Sequence, residues 1–417
     1  MGGLADTVAQ VKIFDTHEHI SPPEIRSRYD LFDLIVNSYV GADVLSADIL
    51  PELPTKEDPI GEKWRAYREF LPVVENTSYA RSLFTAVGEL YEVESPPRDE
   101  DAFCDLSRRI LEASSGPNRV AEVLDKAGIG LALLDQFWNV GNTEINTRLF
   151  RLVLRVDPML CLHAPDHDGN DAREIAAGRG MAVDAFGEYM RFVDALFEEN
   201  VNAGAVCFKV ASAYERTLAF DEVEEGEASK IYERPSGMAT AAESLAFGNY
   251  ILRHTVRRAI DYGLPIQIHT GLQHGSGNLL SNSTPLLLAP LFLEYPEARF
   301  DIFHGGYPFY DEAGCMAKNF PNVHLDMCWL PIISFRAAKR ALHTWLDLVP
   351  ANKLHWGGDA LSPEEAYGAA KQARRVVSEV LEERISAGEL TGKAALRVGE
   401  MILRENSEKF FGTEVEG

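Results

Sequence analysis

The peptide KIFDTHEHI, residues 12–20, places His17 and His19 two positions apart directly after an apolar run. In an extended strand, residues i and i+2 point to the same side, so both imidazoles can be aimed at one point. One point reached by two imidazoles suits a metal ion; two surface histidines at a strand end are the plain alternative. Four more titratable residues occupy comparable places: His269 in IQIHTG, His304 in DIFHGG, Asp359 in HWGGDA and Lys209 in CFKVASAYER. Each follows a short apolar run. Singly they read as satisfied histidines, a capping aspartate and a snorkelling lysine. Jointly they have a chemistry. Zinc is held well by neutral imidazoles and a carboxylate, with one position left for water. His17, His19, His269 and Asp359 would supply three nitrogens and one oxygen, and water on such an ion ionises near neutral pH. Asp359 is the candidate proton shuttle, and the preceding Gly357 and Gly358 let backbone and ligand approach closely.

Those positions need a scaffold. Eight short β-rich runs read as strands: 11–17, 128–135, 158–164, 204–211, 264–271, 298–306, 322–328 and 353–360. Several are nearly continuous in apolar residues, as parallel strands covered on both faces are. Helical stretches separate most of them; one ends at Gly263 and feeds the fifth run. This predicts an α/β fold, a (β/α)8 TIM barrel, with its catalytic groups at the C-terminal ends of the strands. Such a barrel takes about 250 residues, so the 417-residue chain, read as one domain over 1–417, must carry insertions. The largest spans about 21–118, is helical in composition and is punctuated by prolines from Pro51 to Pro97. A second, 219–243, carries an acidic run that reads as a solvated loop.

Composition narrows the partners. Hydrophobic residues make up 46% and charged residues 25%, an ordinary globular balance. Against 40 Lys and Arg stand 64 Asp and Glu, a formal charge of −24. So acidic a surface repels phosphate backbones and anionic lipid, which argues against nucleic-acid and membrane partners and for a small-molecule substrate. The five cysteines are odd in number and form no CxxC pair, as expected of reduced thiols in the cytoplasm. The first residues do not read as a secretory leader, Asp6 stands where myristoylation wants Ser or Thr, and the apolar run LLLAPLFL is too short to span a bilayer. The expectation is a soluble cytoplasmic protein, assembled as a homo-oligomer.

The HxH pair with His269, His304 and Asp359 resembles the amidohydrolase superfamily. Within it, HTG, FHGGYP…EAGCMAKNFPNVHLDM and GGDALSPEEAYGA are similar to the amidohydrolase-2 group, as is most of the chain from about 11 to 412. That group takes in uronate isomerase relatives, metal-dependent hydrolases, decarboxylases and an amidohydrolase-like domain fused to glutamine synthetase. NTSYARSLFTAVGELYEV in the insertion resembles the last branch. The resemblance implies metal ligation by His17, His19, His269 and Asp359, with Asp359 also moving protons. It makes His304 a second-metal ligand or a substrate contact. Lys209 becomes either a carboxylated bridge between two ions or a cation for a substrate carboxylate. One divalent metal is expected, zinc by donor type with iron or manganese tolerated; a second would accompany carboxylation.

Further candidates surround this set. Tyr214 and Arg216 follow Lys209 and would line the mouth, Arg216 with its planar fork suited to a carboxylate. Trp329 is a candidate pocket wall, with packing as the alternative. His274, in glycine-rich GLQHGSGN, is a candidate lid or substrate contact. His163 is placed at the end of the third strand within reach of the pocket, and His167 in solvent. Glu18 should point away from the metal and serve structure. The leading expectation is a metal-dependent hydrolase acting on an amide, ester or lactone of a small carboxylate-bearing substrate. A uronate-type isomerase or a decarboxylase on the same site is the alternative; a non-catalytic binding barrel is disfavoured by the intact donor set.

Overall fold

Parallel strands cannot be joined by tight turns, so each must be followed by a crossover, and eight of them wrapped by helices close on themselves. The computed structural model describes residues 4–22 and 28–415. Residues 1–3, on which part of the leader reading rests, and 23–27, within the large insertion, lie outside the described residues. The strands are β1 (Ile13–Glu18), β2 (Ile129–Asp135), β3 (Phe150–Arg155), β4 (Ala205–Val210), β5 (Ile266–Ile268), β6 (Phe300–Ile302), β7 (Val323–Asp326) and β8 (Leu354–His355). They pair in parallel in chain order. The ring closes where Thr16 N–H donates to Trp356 O and Asp359 N–H to His17 O. The fold is the expected (β/α)8 barrel. Gly263, at φ 67°, caps the helix Ala241–Tyr262 and turns the chain into β5.

One strand differs from expectation. The third is Phe150–Arg155, and the run 158–164 opens instead in a helical turn, Asp157–Leu160. Pro158 supplies the reason, since its fixed φ and missing N–H suit the first turn of a helix. The true strand, FRLVLR, is disguised by its two arginines, of which Arg155 is buried inside. The acidic segment after β4 also departs from a plain loop: Asp221, Glu222, Glu224 and Glu225 are exposed, but Glu225–Tyr232 is a helix that buries Ala228, Ile231 and Tyr232.

Between β1 and β2 the described residues form six helices, from Leu31–Val36 to Arg119–Ala127. Those of the insertion bury a cluster of their own, including Phe32, Tyr67, Phe70, Leu83 and Phe103. It is tied to the barrel helix Pro363–Ser386 by polar contacts: Tyr91 Oη and Arg119 Nη2 both donate to Glu364 Oε1, at 3.0 and 2.6 Å. No helix among the described residues is long and apolar enough to cross a membrane.

At the strands' N-terminal end, His324 Nδ1 lies 2.9 Å from His355 Nε2, and His355 Nδ1 lies 3.2 Å from Ser407 Oγ, against the ring of Phe410. Burial, reinforced by Lys353 and Arg299, lowers the pKa of His324 from 6.5 to about 3; burial holds His355 well below its ordinary range too. The unfolded chain therefore takes up protons here that the folded chain refuses. This part of the stability is complete above about pH 6.5 and is lost as pH falls towards 3. In His324→Gln, the loss of urea-unfolding free energy between pH 7 and 5 is expected to shrink by about 2 kcal/mol. An unchanged loss would show that the ring does not titrate this way.

Candidate metal centre and pocket

His17 stands on β1, whose six residues are all buried, and His19 directly follows its last residue. Gln267 Nε2 donates to Thr16 O at 2.9 Å, which turns its Oε1 towards His17 Nδ1 at 3.0 Å. His19 Nδ1 meets Asp135 O at 2.9 Å. Both rings thus donate from Nδ1, and both Nε2 lone pairs are left to face Asp359 Oδ1, at 3.9 and 3.3 Å. Donors about 2.1 Å from a tetrahedral zinc stand about 3.4 Å apart. The three donor atoms lie within 4.8 Å of one another. His17 Nε2 is buried and has no hydrogen-bond partner, an uncompensated lone pair that a cation would satisfy. Burial, with the charge of Lys209, lowers the His17 pKa to about 3, so the ring stays a neutral donor. The donor set therefore fits a divalent ion.

Asp359 follows Gly357 and Gly358 and adopts φ 59°, a left-handed backbone uncommon outside glycine. Burial alone would raise its pKa, but contact with His19 and the neighbouring His304 and His17 rings hold the carboxyl well below the usual range. Tyr39, from the insertion, sets its hydroxyl 2.5 Å from Asp359 O and 2.9 Å from Asp359 Oδ2, its one proton shared between these acceptors, and its own N–H donates to Glu365 Oε1 at 3.0 Å. Asp135, at the end of β2, is 3.4 Å from His17 Nε2 and is gripped by Arg155 through Nε and Nη2 at 3.0 and 2.8 Å. Burial opposes its ionisation, but Arg155 and His17 keep it well below the ordinary carboxylate range.

The expected donors do not all come together. His269 lies outside the three-donor group found among the described residues. Its Nε2 faces Leu272 O at 2.9 Å and its Nδ1 faces His304 Nε2 at 3.0 Å, while His304 Nδ1 faces Cys328 O at 3.1 Å. Two neutral rings carry two protons for those three links. His304 also sits at φ 59°. Lys209 is buried, its Nζ 3.8 Å from the centre of the Phe303 ring, and no ion pair among the described residues involves it. Burial lowers its pKa.

A cavity of about 90 Å³ opens above these groups, lined by His19, Tyr39, Phe137, Arg155, His167, Asp168, Lys209, Tyr214, His269, His274, Asp359 and Leu361. Tyr214 Oη accepts the N–H of His274 at 3.0 Å, and its ring packs on His269 and His167. Trp329 stands behind the wall, against Tyr39, Tyr79 and His304. Arg216, expected at the mouth, is turned away: its guanidinium is spent on Thr217 O, Leu245 O, Ala219 O and Asn249 Oδ1. The pocket's arginine is Arg155, whose Nη1 meets Asp168 Oδ2 at 2.7 Å. His163, expected within reach of the pocket, is half-buried and bonds Tyr232 O instead, while His167 is exposed as expected and also lines the pocket. A larger cleft of about 760 Å³ lies along 10–12 and 400–414 and gathers none of the candidate residues.

Sequence reading missed Tyr39, Asp135, Arg155 and Asp168. A charged residue closing the apolar run LALLD was the signal available for Asp135. The displaced third strand hid Arg155.

A closed parallel barrel with imidazoles and a carboxylate converging above its strand ends defines a class of candidate metal-centred barrels. The chain belongs to the amidohydrolase family, whose model matches residues 151–413. Over 149 residues it is 35% identical to Protein fluG of Emericella nidulans, a match covering 35% of this chain and 17% of that protein. Among solved structures, a uronate isomerase from Thermotoga maritima superposes with a TM-score of 0.81 at 13% identity, covering 98% of this chain and 96% of the other. A glucuronate isomerase from Caulobacter crescentus gives 0.76 at 16% identity, with 98% and 93% covered. A protein described as a metal-dependent hydrolase from Lactobacillus casei gives 0.70 at 17% identity, with 99% and 98% covered. At such identities the likeness speaks to fold alone.

Proposed function

We propose that the chain is a mononuclear metal-dependent hydrolase for a small substrate bearing a carboxylate. One observation carries this reading: the Nε2 lone pairs of His17 and His19 converge on Asp359 Oδ1, and that of His17, buried between the Asp359 and Asp135 carboxylates, meets no hydrogen-bond donor. His17, His19 and Asp359 would hold the ion, zinc by donor type. When bound, such an ion polarises a carbonyl and brings the pKa of coordinated water down to about 7. Asp359, kept ionised, takes a proton on its carboxylate while the Tyr39 hydroxyl, against its Oδ2 and its backbone O, fixes its orientation. Lys209, in no ion pair among the described residues, attracts the carboxylate of the substrate, and the ring of His269, held by His304 and Leu272 O, packs against it in the pocket. Membership of the amidohydrolase family supports the reading.

A second reading keeps the site and changes the reaction to interconversion of a uronate-type sugar acid. It is favoured by the pairing of an acid, the Tyr39 hydroxyl, with a base, Asp359, and by the barrel shared with the two uronate isomerases. Elemental analysis of protein purified without chelator is the first test, with about one metal per chain expected from a three-donor site. About two metals would instead make Lys209 a carboxylated bridge, and none, with none regained from zinc, manganese or iron, would sink both readings. Products from a panel of carboxylate-bearing amides, lactones, uronates and aromatic acids then separate the reactions. Hydrolysis adds water, isomerisation conserves mass, and decarboxylation releases carbon dioxide.

A further inference from the structure

Behind Asp359, two buried acids meet that the proposed chemistry does not use. Asp15 and Glu18 of β1 are both wholly buried. Asp15 Oδ1 accepts the N–H of Gly358 at 2.8 Å and that of His17 at 3.2 Å. Glu18 Oε2 accepts the N–H of Ala360 at 2.7 Å. Between them the N–H of Asp359 donates to His17 O at 2.7 Å. Three successive amides, those of 358, 359 and 360, are thus gripped by acceptors on β1. The remaining oxygens, Asp15 Oδ2 and Glu18 Oε1, have no donor. Both reach the same small space: a Cβ on Gly358 would stand 3.1 Å from the first and 2.2 Å from the second. Both side chains thus crowd residue 358 from the β1 side.

We propose that Asp15 and Glu18 are positioning residues for Asp359, their side chains gripping the amides of Gly358 and Ala360 so that peptide 358–360 is fixed and the Asp359 carboxylate is aimed at the point faced by His17 and His19. The pair fits only because residue 358 is glycine. A device of this kind is needed here, because a non-glycine residue at φ 59° persists only where its surroundings over-determine it. The inference rests on the reading of Asp359 as a metal ligand.

The test compares wild-type protein with Glu18→Gln, Glu18→Ala and Gly358→Ala. Each is measured metal-free for its thermal midpoint and then titrated with zinc against a competing chelator. Glutamine keeps a carbonyl for Ala360 N–H, so zinc affinity is expected within about threefold of wild type; Glu18→Ala and Gly358→Ala should lose about tenfold or more, as outer-shell partners do. A merely structural role would lower the metal-free midpoint and leave zinc affinity unchanged, and that result overturns the proposal. A glutamine variant as weak as the alanine variant overturns it too. Should Glu18→Ala not fold, Gly358→Ala carries the same expectation, since its methyl displaces Glu18 Oε1 without removing a polar group. Wild-type protein that takes up no zinc, manganese or iron overturns the underlying reading of the centre instead, so the two failures are distinct.

Discussion

Asp359→Asn is expected to lower turnover by about 10²–10⁴-fold, the range for loss of a positioned proton carrier. The substitution conserves size and leaves the backbone grip on residue 359 intact. It removes the negative charge that His17 and His19 face and puts an amide N–H in place of one of the two carboxylate oxygens. An amide nitrogen turned to Tyr39 could donate to its hydroxyl, which already meets Asp359 O, and would leave a neutral oxygen facing His19; turned to His19, the nitrogen would meet a site arranged for a cation. Either way the variant loses both an anionic ligand and a proton acceptor. The measurement is kcat and metal content side by side on the substrate found by product analysis. Turnover unchanged at full metal occupancy would remove Asp359 from the chemistry, and the proposed mechanism with it.

How much of this was legible without coordinates varied with the physical signal. The barrel was, because parallel strands buried on both faces leave apolar runs with turn residues between them, as in LPIQIHTG and NVHLDMC. His17 and His19 were legible through strand alternation, and Asp359 through a charge placed after two glycines. The third strand was not: FRLVLR carries two arginines because one of them, Arg155, serves the barrel interior, and a strand that breaks the apolar rule for such a reason is read as something else. Tyr39 was out of reach for a different cause. Nothing local says that a tyrosine at the start of an insertion helix returns across 320 residues to Asp359. The same limit applies to Glu18, which alternation alone would turn away from the centre, whereas its carboxyl reaches the segment after β8.

His17→Ala is expected to empty the centre, and His269→Ala is not. The two side chains look equivalent in sequence, each a histidine closing an apolar run. Their surroundings differ. His17 Nδ1 is spoken for by Gln267 Oε1, and its Nε2 has no hydrogen-bond partner and faces two carboxylates; both nitrogens of His269 already have partners, in Leu272 O and His304. Removing His17 deletes one of three donors and strands the buried Gln267 oxygen, at a further cost of about 1–3 kcal/mol in stability. Metal per chain should fall below about a tenth of the wild-type value even after dialysis against zinc, since two donors do not hold the ion of a three-ligand catalytic site. His269→Ala should keep its metal and lose substrate affinity, seen as a rise in KM. If both variants lose the metal equally, His269 rotates from His304 to the ion on binding. The four-donor set expected from sequence would then stand in place of the three-donor set gathered here.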